Sequence, residues 1–279
     1  MMRKKIRLSF WLFLFTFANV FSIEPTRWVV DYSQGINPKQ LRDYSVIVMD
    51  SQGNPLLEGF IEKEKEVLGY ISLMEVGNHR WYFPEIEQAG LVIEENPNWP
   101  GTYVIDIRNK QWVKMVIEQL IPRLLFERYD GLFLDNLDDA AALEQRNPEK
   151  YAGMKKAAVN LVKAIHLHYP EAILMMNRAY ELLPQLADQI NIELGESVYS
   201  TYDFTTKSYK HVPEEEYQRQ VELLKKAQQA NPQLRVFTLD YWNPDDSDEI
   251  RKIYQVERNN GFVPYVSTID LQKVIPEPK

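Results

Sequence analysis

The fold class predicted by the sequence is α/β: a single (β/α)8 TIM-type barrel with one extra strand. Three observations predict it. Strand-like and helix-like segments alternate from about residue 28 to the end, the pattern of a parallel sheet with crossover helices. Most strand-like segments are continuous apolar runs, as befits strands buried on both faces. A chain of 279 residues accommodates one barrel of roughly 250 residues with little to spare.

The elements follow in order. Arg3, Lys4, Lys5 and Arg7 precede the apolar run Leu8–Phe21 and Ser22, which reads as a signal peptide over residues 1–22. The run is too short for a comfortable membrane span, so cleavage near Ser22–Ile23 is expected. The mature chain would be secreted or periplasmic, with no stable membrane insertion; an uncleaved anchor is the alternative. The barrel domain then occupies residues 23–279. Its strands are expected at Trp28–Tyr32, Val46–Asp50, Val67–Leu73, Tyr103–Ile107, Leu132–Asp135, Ala172–Asn177, Gln189–Leu194, Arg235–Asp240 and Phe262–Ser267. That is one too many for an eight-stranded barrel, and Tyr103–Ile107 is the one expected to lie outside it. A helix over 109–128 carries apolar pairs at helical spacing, with Pro122 predicted to kink it. Asn147-Pro148 is expected to cap a helix reaching His168. Two further helices are expected at Pro213–Ala230 and Asp246–Asn259.

Composition narrows the chemistry. There are no cysteines, which excludes disulfides, thiolate nucleophiles and a lipoprotein anchor. None of the four histidines forms a His-x-x-x-His pair, which argues against a zinc hydrolase. The formal net charge of −8 becomes −12 once the four leader cations are removed. So acidic a chain is a poor partner for nucleic acid or anionic membranes.

The stretch Tyr129–Asp138 organises the rest. Leu132, Phe133 and Leu134 form a buried strand that runs into Asp135, Asn136, Asp138 and Asp139. Ligands of α/β folds sit at the carboxyl ends of strands, and nearly every strand here delivers an acid there. These are Asp31, Asp50, Glu75, Asp106, Asp135, Glu193 or Glu196, and Asp240. Like charges in one cleft repel, so arginines such as Arg80 and Arg178, a metal or a cationic substrate must compensate. Tyr32, Tyr70, Trp81, Tyr82, Tyr199, Tyr202, Tyr241 and Trp242 stand nearby in sequence. Carboxylates among aromatic platforms suggest carbohydrate, and glycoside hydrolysis needs two carboxyl groups flanking one bond. Asp135 with either Glu193 or Glu196 is the natural pair. Gly195 permits a bulge, so alternation leaves the glutamate open. Asp135 also reads as a helix cap or calcium ligand, Asp138 and Asp139 as loop acids, and Asp106 as the partner of an arginine.

Gly69-Tyr70-Ile71-Ser72, Glu75, Val104-Ile105-Asp106, Trp112, Tyr129–Asp138, Met176-Asn177-Arg178, Gly195–Asp203 and Asp240-Tyr241 occur in this order. Together they resemble glycoside hydrolase family 114. The resemblance covers nearly all of the mature chain, and its most specific part is the Asp-Gly-x-x-x-Asp-Asn-x-Asp run. It implies a (β/α)8 barrel and endo-α-1,4-polygalactosaminidase-like activity on an amino-sugar polysaccharide. It also implies Asp135 as catalytic nucleophile and Glu196 as general acid/base. The substrate shell would be Tyr32, Asp50, Tyr70, Glu75, Asp106, Asp138, Arg178, Asp240 and Tyr241. No cofactor is required, and a monomer is expected. Cysteines frequent around these motifs in characterised members are absent here. Two other readings are a carbohydrate-binding protein without turnover and a hydrolase using the Asp135–Asp139 cluster with magnesium or calcium.

Overall fold

The computed structural model describes residues 26–33, 35–51 and 65–279; the expected signal peptide lies outside them. Eight parallel strands make the barrel: β1 (Trp28–Asp31), β2 (Val46–Asp50), β3 (Glu66–Ser72), β4 (Gly131–Asp135), β5 (Ile173–Asn177), β6 (Ile192–Glu196), β7 (Arg235–Tyr241) and β8 (Val263–Ser267). They are hydrogen-bonded in chain order from β1 to β8. The seam between β8 and β1 is drawn together by the Trp28 indole, which donates to the Val263 carbonyl at 2.9 Å. Trp28 also packs against Phe237 and Tyr265 at 5.5 and 5.7 Å, forming an aromatic layer inside the barrel.

The strand registers divide inside from outside. Tyr70 pairs with Phe133, Phe133 with Met175, Met175 with Ile192, and Leu194 with Phe237. Alternation along each strand therefore turns Asp50, Tyr70, Asp135, Asn177, Glu196 and Tyr241 inward at the carboxyl-end mouth. It turns Asp31, Gly69, Glu193, Gly195 and Asp240 outward, toward the helices. A Cβ added at Gly69 would meet Leu124 and Tyr129, and one at Gly195 would meet Leu224. Both neighbours belong to the outer layer.

Residues Tyr103–Ile107 do lie outside the barrel. The strand Thr102–Ile105 is the centre of a small antiparallel sheet with Glu75–Gly77 and Val92–Glu95, inserted between β3 and β4. The helix after it is interrupted and widened just ahead of Pro122. A π-helical turn, Val116–Leu120, separates Lys110–Met115 from Ile121–Phe126 and absorbs the missing N–H. Asn147-Pro148 caps a turn, Asn147 accepting from Lys150 N at 2.9 Å. The helix itself is Met154–His168 and begins after Gly153, whose φ of 87° is open to glycine. A hairpin that the polar sequence did not announce, Ser200–Asp203 with Ser208–His211, follows β6.

Candidate active site

A cleft of about 520 Å³ opens at the carboxyl end of the barrel. Asp135, the last residue of β4, stands at its floor. Its Oδ1 accepts from the Asn177 amide at 2.9 Å and from the Asn136 backbone N–H at 2.9 Å, and its Oδ2 from the Tyr70 hydroxyl at 2.9 Å. Glu196, the last residue of β6, faces it. The Tyr241 hydroxyl donates to Glu196 Oε1 at 2.6 Å, and Asn177 Nδ2 to Oε2 at 2.6 Å.

One nitrogen therefore touches both carboxylates. The contacted oxygens can be no further apart than the sum of its two contacts, 5.5 Å. Both contacts are to acceptors, which fixes the amide orientation: nitrogen, not oxygen, must face the pair.

The pair is electrostatically coupled. Burial pushes the Asp135 carboxyl up to about 7, and the Glu196 charge pushes the same way against the Asn177 and Tyr70 hydrogen bonds. Burial also raises both tyrosines, first Tyr70 and then Tyr241 with the help of Glu196, so each remains a neutral donor.

Three consecutive strand ends are turned by residues in the left-handed region. Asn136 (φ 63°) follows Asp135, Arg178 (φ 54°) follows Asn177, and Ser197 (φ 58°) follows Glu196. Each sharp turn leaves the preceding side chain at the mouth while the main chain leaves it. Non-glycine residues in this region cost roughly 1 kcal/mol apiece. The Ser72 hydroxyl steadies the first turn by hydrogen bonding Asn136 Oδ1 at 2.6 Å.

Of the expected substrate shell, seven residues line this cleft: Tyr32, Asp50, Tyr70, Glu75, Asp138, Arg178 and Tyr241. Tyr32 packs edge-on against Tyr70 at 5.2 Å. Asp50 is paired with Arg80 at 2.8 Å, and Asp138 lies 3.7 Å from Arg178. Both arginines singled out in the sequence thus compensate acids of the cleft. Glu75 accepts from Asn96 at 2.7 Å, and burial together with the Glu75 charge pushes the Asp139 carboxyl up to about 8.

Two expected shell residues are elsewhere. Asp106 chelates Arg108, accepting from Nε at 2.9 Å and Nη2 at 2.7 Å, and Arg108 in turn caps the Lys150 and Ala152 carbonyls. Asp240 faces outward and is fully buried, accepting from the Tyr199 and Ser200 backbone N–H groups at 2.9 and 2.6 Å. It ties down the segment after Glu196 instead of facing the cleft. Asp31 likewise binds Ser33 N at 2.9 Å, off the cleft. Glu193 is completely buried among the outer layer beneath Tyr180, and burial drives its carboxyl well above the carboxylate range. The acids Asp135, Asp138 and Asp139 turn to Asn177, Arg178 and Glu75 respectively. Among the described residues no group of three acids or histidines converges as a metal site would.

Sequence reasoning missed Asn177 as a site residue. Its signals were the strand-end position and its place in the Met176-Asn177-Arg178 segment, and an amide adds no charge to the tally.

The model of glycoside-hydrolase family GH114 matches residues 16–278. The chain belongs to this family. It is therefore a glycoside hydrolase. The fold is shared with the glycoside hydrolase domain of PelA from Pseudomonas aeruginosa, with a TM-score of 0.80, 22% identity, and 91% of this chain and 98% of that one covered. Aspergillus fumigatus Ega3, solved in complex with galactosamine, gives a TM-score of 0.69 at 13% identity, covering 91% and 95%. An uncharacterised Thermotoga maritima protein is 22% identical over 218 residues, and this chain spans 66% of its length. Among the described residues no helix is long and apolar enough to cross a membrane.

Proposed function

We propose that this hydrolase cleaves an amino-sugar polysaccharide of the α-1,4-galactosaminoglycan class with retention of configuration. Asp135 is the nucleophile and Glu196 the general acid/base. The observation that carries the reading is the single Asn177 nitrogen on both carboxylates. Carboxyl groups about 5–5.5 Å apart suit direct attack on the anomeric carbon, whereas about 6.5–9.5 Å leaves room for an intervening water. Two facing carboxylate oxygens no more than 5.5 Å apart support the closer arrangement.

In the first step Asp135 attacks the anomeric carbon as Glu196 protonates the departing glycosidic oxygen. In the second, Glu196 takes a proton from water, which displaces Asp135. The productive state carries one proton on the pair, placed on Glu196. The Asn177, Asn136 and Tyr70 donors then stabilise the Asp135 anion.

The substrate class follows from charge. The cleft holds Asp50, Glu75, Asp135, Asp138, Glu196 and Asp270 against Arg80, Arg123 and Arg178. That is a smaller acid surplus than the sequence suggested, because Asp31, Asp106 and Asp240 lie elsewhere, but it is still a surplus. Sugars bearing ammonium groups neutralise it, and uronic acids add to it. Galactosamine bound to Ega3 is in keeping with that class. The charged and then apolar run of residues 3–21 supports export as a secreted enzyme.

The test compares the wild type with Asp135→Asn on a partly deacetylated galactosaminoglycan, before and after chemical N-acetylation. The variant should fold normally and lose on the order of 10³-fold or more in rate. NMR of the first-formed reducing end should show the retained anomer. The free-amine polymer should be cleaved faster, and by less of a margin in high salt. A wild-type rate in Asp135→Asn, or an inverted first product, would overturn the mechanism. Equal cleavage of both polymers without salt dependence would overturn the substrate class.

A further inference from the structure

Two large aromatic side chains of the cleft have no part in the chemistry above. Trp81 and Trp99 line it and are 49% and 47% exposed. Both belong to the excursion between β3 and β4, yet they stand at different sectors of the rim. Trp81 follows Arg80, whose guanidinium pairs with Asp50 at the end of β2 and lies over the Tyr70 ring of β3 at 5.8 Å. Trp99 meets Phe204 edge to face at 5.5 Å, and Phe204 belongs to the turn of the hairpin that follows β6.

Both indoles are held in place. Tyr82 packs edge-on against Trp81 at 5.3 Å, and the Arg123 guanidinium lies over the Trp81 ring at 5.4 Å. On the other sector, Phe204 is backed by Tyr202 at 5.3 Å, itself packed on Tyr209 at 5.2 Å. Asp203 braces the hairpin turn by accepting from Thr205 N at 2.8 Å and Thr206 N at 3.0 Å. A rigid indole left half open on a cleft wall presents apolar area that a ligand can cover. The ring face of a pyranose is such a ligand. The Arg123 contact shows in addition that the Trp81 face accepts a cation, which an ammonium-bearing sugar brings with it.

We propose that Trp81 and Trp99 are two outer subsites, each stacking on one residue of an amino-sugar chain. A polymer is then gripped at both sectors of the rim, and the acid pair works on an internal linkage between them. This rests on the substrate class proposed above, and the test is arranged so that the two can fail separately.

The experiment is affinity electrophoresis in gels containing partly deacetylated α-1,4-galactosaminoglycan, in the Asp135→Asn background, where binding is read without turnover. Trp81→Ala and Trp99→Ala should each weaken the apparent Kd for the polymer about three- to tenfold. Trp81→Phe and Trp99→Phe should recover most of the loss, and binding of a trisaccharide should suffer less than binding of the polymer. Thermal melts of the same variants separate binding from folding. Retardation equal to the parent's in both alanine variants would overturn the subsites while leaving the hydrolase reading intact, as would losses that only track a fall in Tm. Absence of retardation in the parent would overturn the subsites as well. Retardation that depends on both indoles, with no cleavage by the wild type, would leave the subsites standing and sink the hydrolase mechanism.

Discussion

Asn177 holds the acid pair together, and the geometry shows what its removal should do. Its Nδ2 hydrogen bonds lower the Asp135 carboxyl, which burial and Glu196 raise to about 7. Its buried Oδ1 has no hydrogen-bond partner among the described residues. An orphaned buried acceptor costs about 1–3 kcal/mol, a cost explained if the amide is retained for what its nitrogen does. The value near 7 is reached beside the Glu196 charge, so it marks loss of the pair's last proton, and kcat/KM should fall as pH rises through about 7. Asn177→Ala removes a lowering influence, and this alkaline limb should move to higher pH. The rate at the optimum should fall about 10- to 100-fold, the worth of a charge-assisted hydrogen bond. Glu196→Gln, assayed with an activated leaving group that needs no proton, should abolish the alkaline limb. A pH profile unchanged in Asn177→Ala would show that the amide merely fills space. The sequence displayed Asp135 and Glu196 because acids at strand ends stand out. It concealed Asn177 because one amide among the chain's many polar residues carries no comparable signal. Nor did it show Asp240 to be misplaced. Leu239, Asp240 and Tyr241 reveal that neighbours face opposite ways, but with both faces of a parallel strand buried, nothing local says which parity looks inward.

At the scale of the element, β4 was legible as a strand, but the reason for its glycine was not. Asp130-Gly131 reads as an entry turn; the structure makes Gly131 a strand residue at a point of close approach. A Cβ there would lie 2.0 Å from the Ile173 carbonyl oxygen of β5. That oxygen is main chain and cannot swing aside, so Gly131→Ala should force β4 from β5. The expected cost is at least the 1–3 kcal/mol typical of overpacking, or several degrees of Tm. Because β4 carries Asp135 and β5 carries Asn177, the same change should lengthen the Asp135–Asn177 contact and lower kcat. Ser197→Gly makes a useful contrast, since glycine suits φ 58° and leaves Glu196 where it is. Equal Tm and kcat in Gly131→Ala and the wild type would refute the close-approach argument. The eight barrel strands could be read in the sequence because burial on both faces writes an apolar run. The small inserted sheet and the hairpin after β6 were harder to read because they are short, half-exposed and polar, and their pairing is set by contacts far away in sequence.

Across the whole molecule, several carboxyls are buried in their protonated form. Burial, reinforced by the charge of Asp240, pushes Glu257 of the outer helix Ser247–Asn259 up to about 9. Asp240 beneath it is pushed up by burial to about 7, against its Ser200 and Tyr199 hydrogen bonds. Asp139 stands at about 8 and Glu193 well above the carboxylate range, both chiefly through burial. Each binds its proton more tightly folded than unfolded. Between the ordinary carboxylate range, near 4, and these higher values the native state therefore holds the extra protons, and stability declines as pH rises. The contribution is complete below about 4, declines as pH rises above it, and is fully lost once pH has passed the folded values of about 7 to 9. Growing negative self-repulsion acts in the same direction on a chain of net charge −8, so the wild-type curve alone does not isolate the buried acids. Glu257→Gln does: the amide is close to isosteric and cannot ionise, and the chain's net charge changes by only one. Its Tm should fall less steeply than that of the wild type from about pH 5 to pH 9, while the two curves differ by a constant offset only below about pH 4. Parallel melting curves from about pH 5 to pH 9 would mean that Glu257 does not change its protonation on unfolding, and that its carboxyl is held as an ordinary anion between the barrel and its helix.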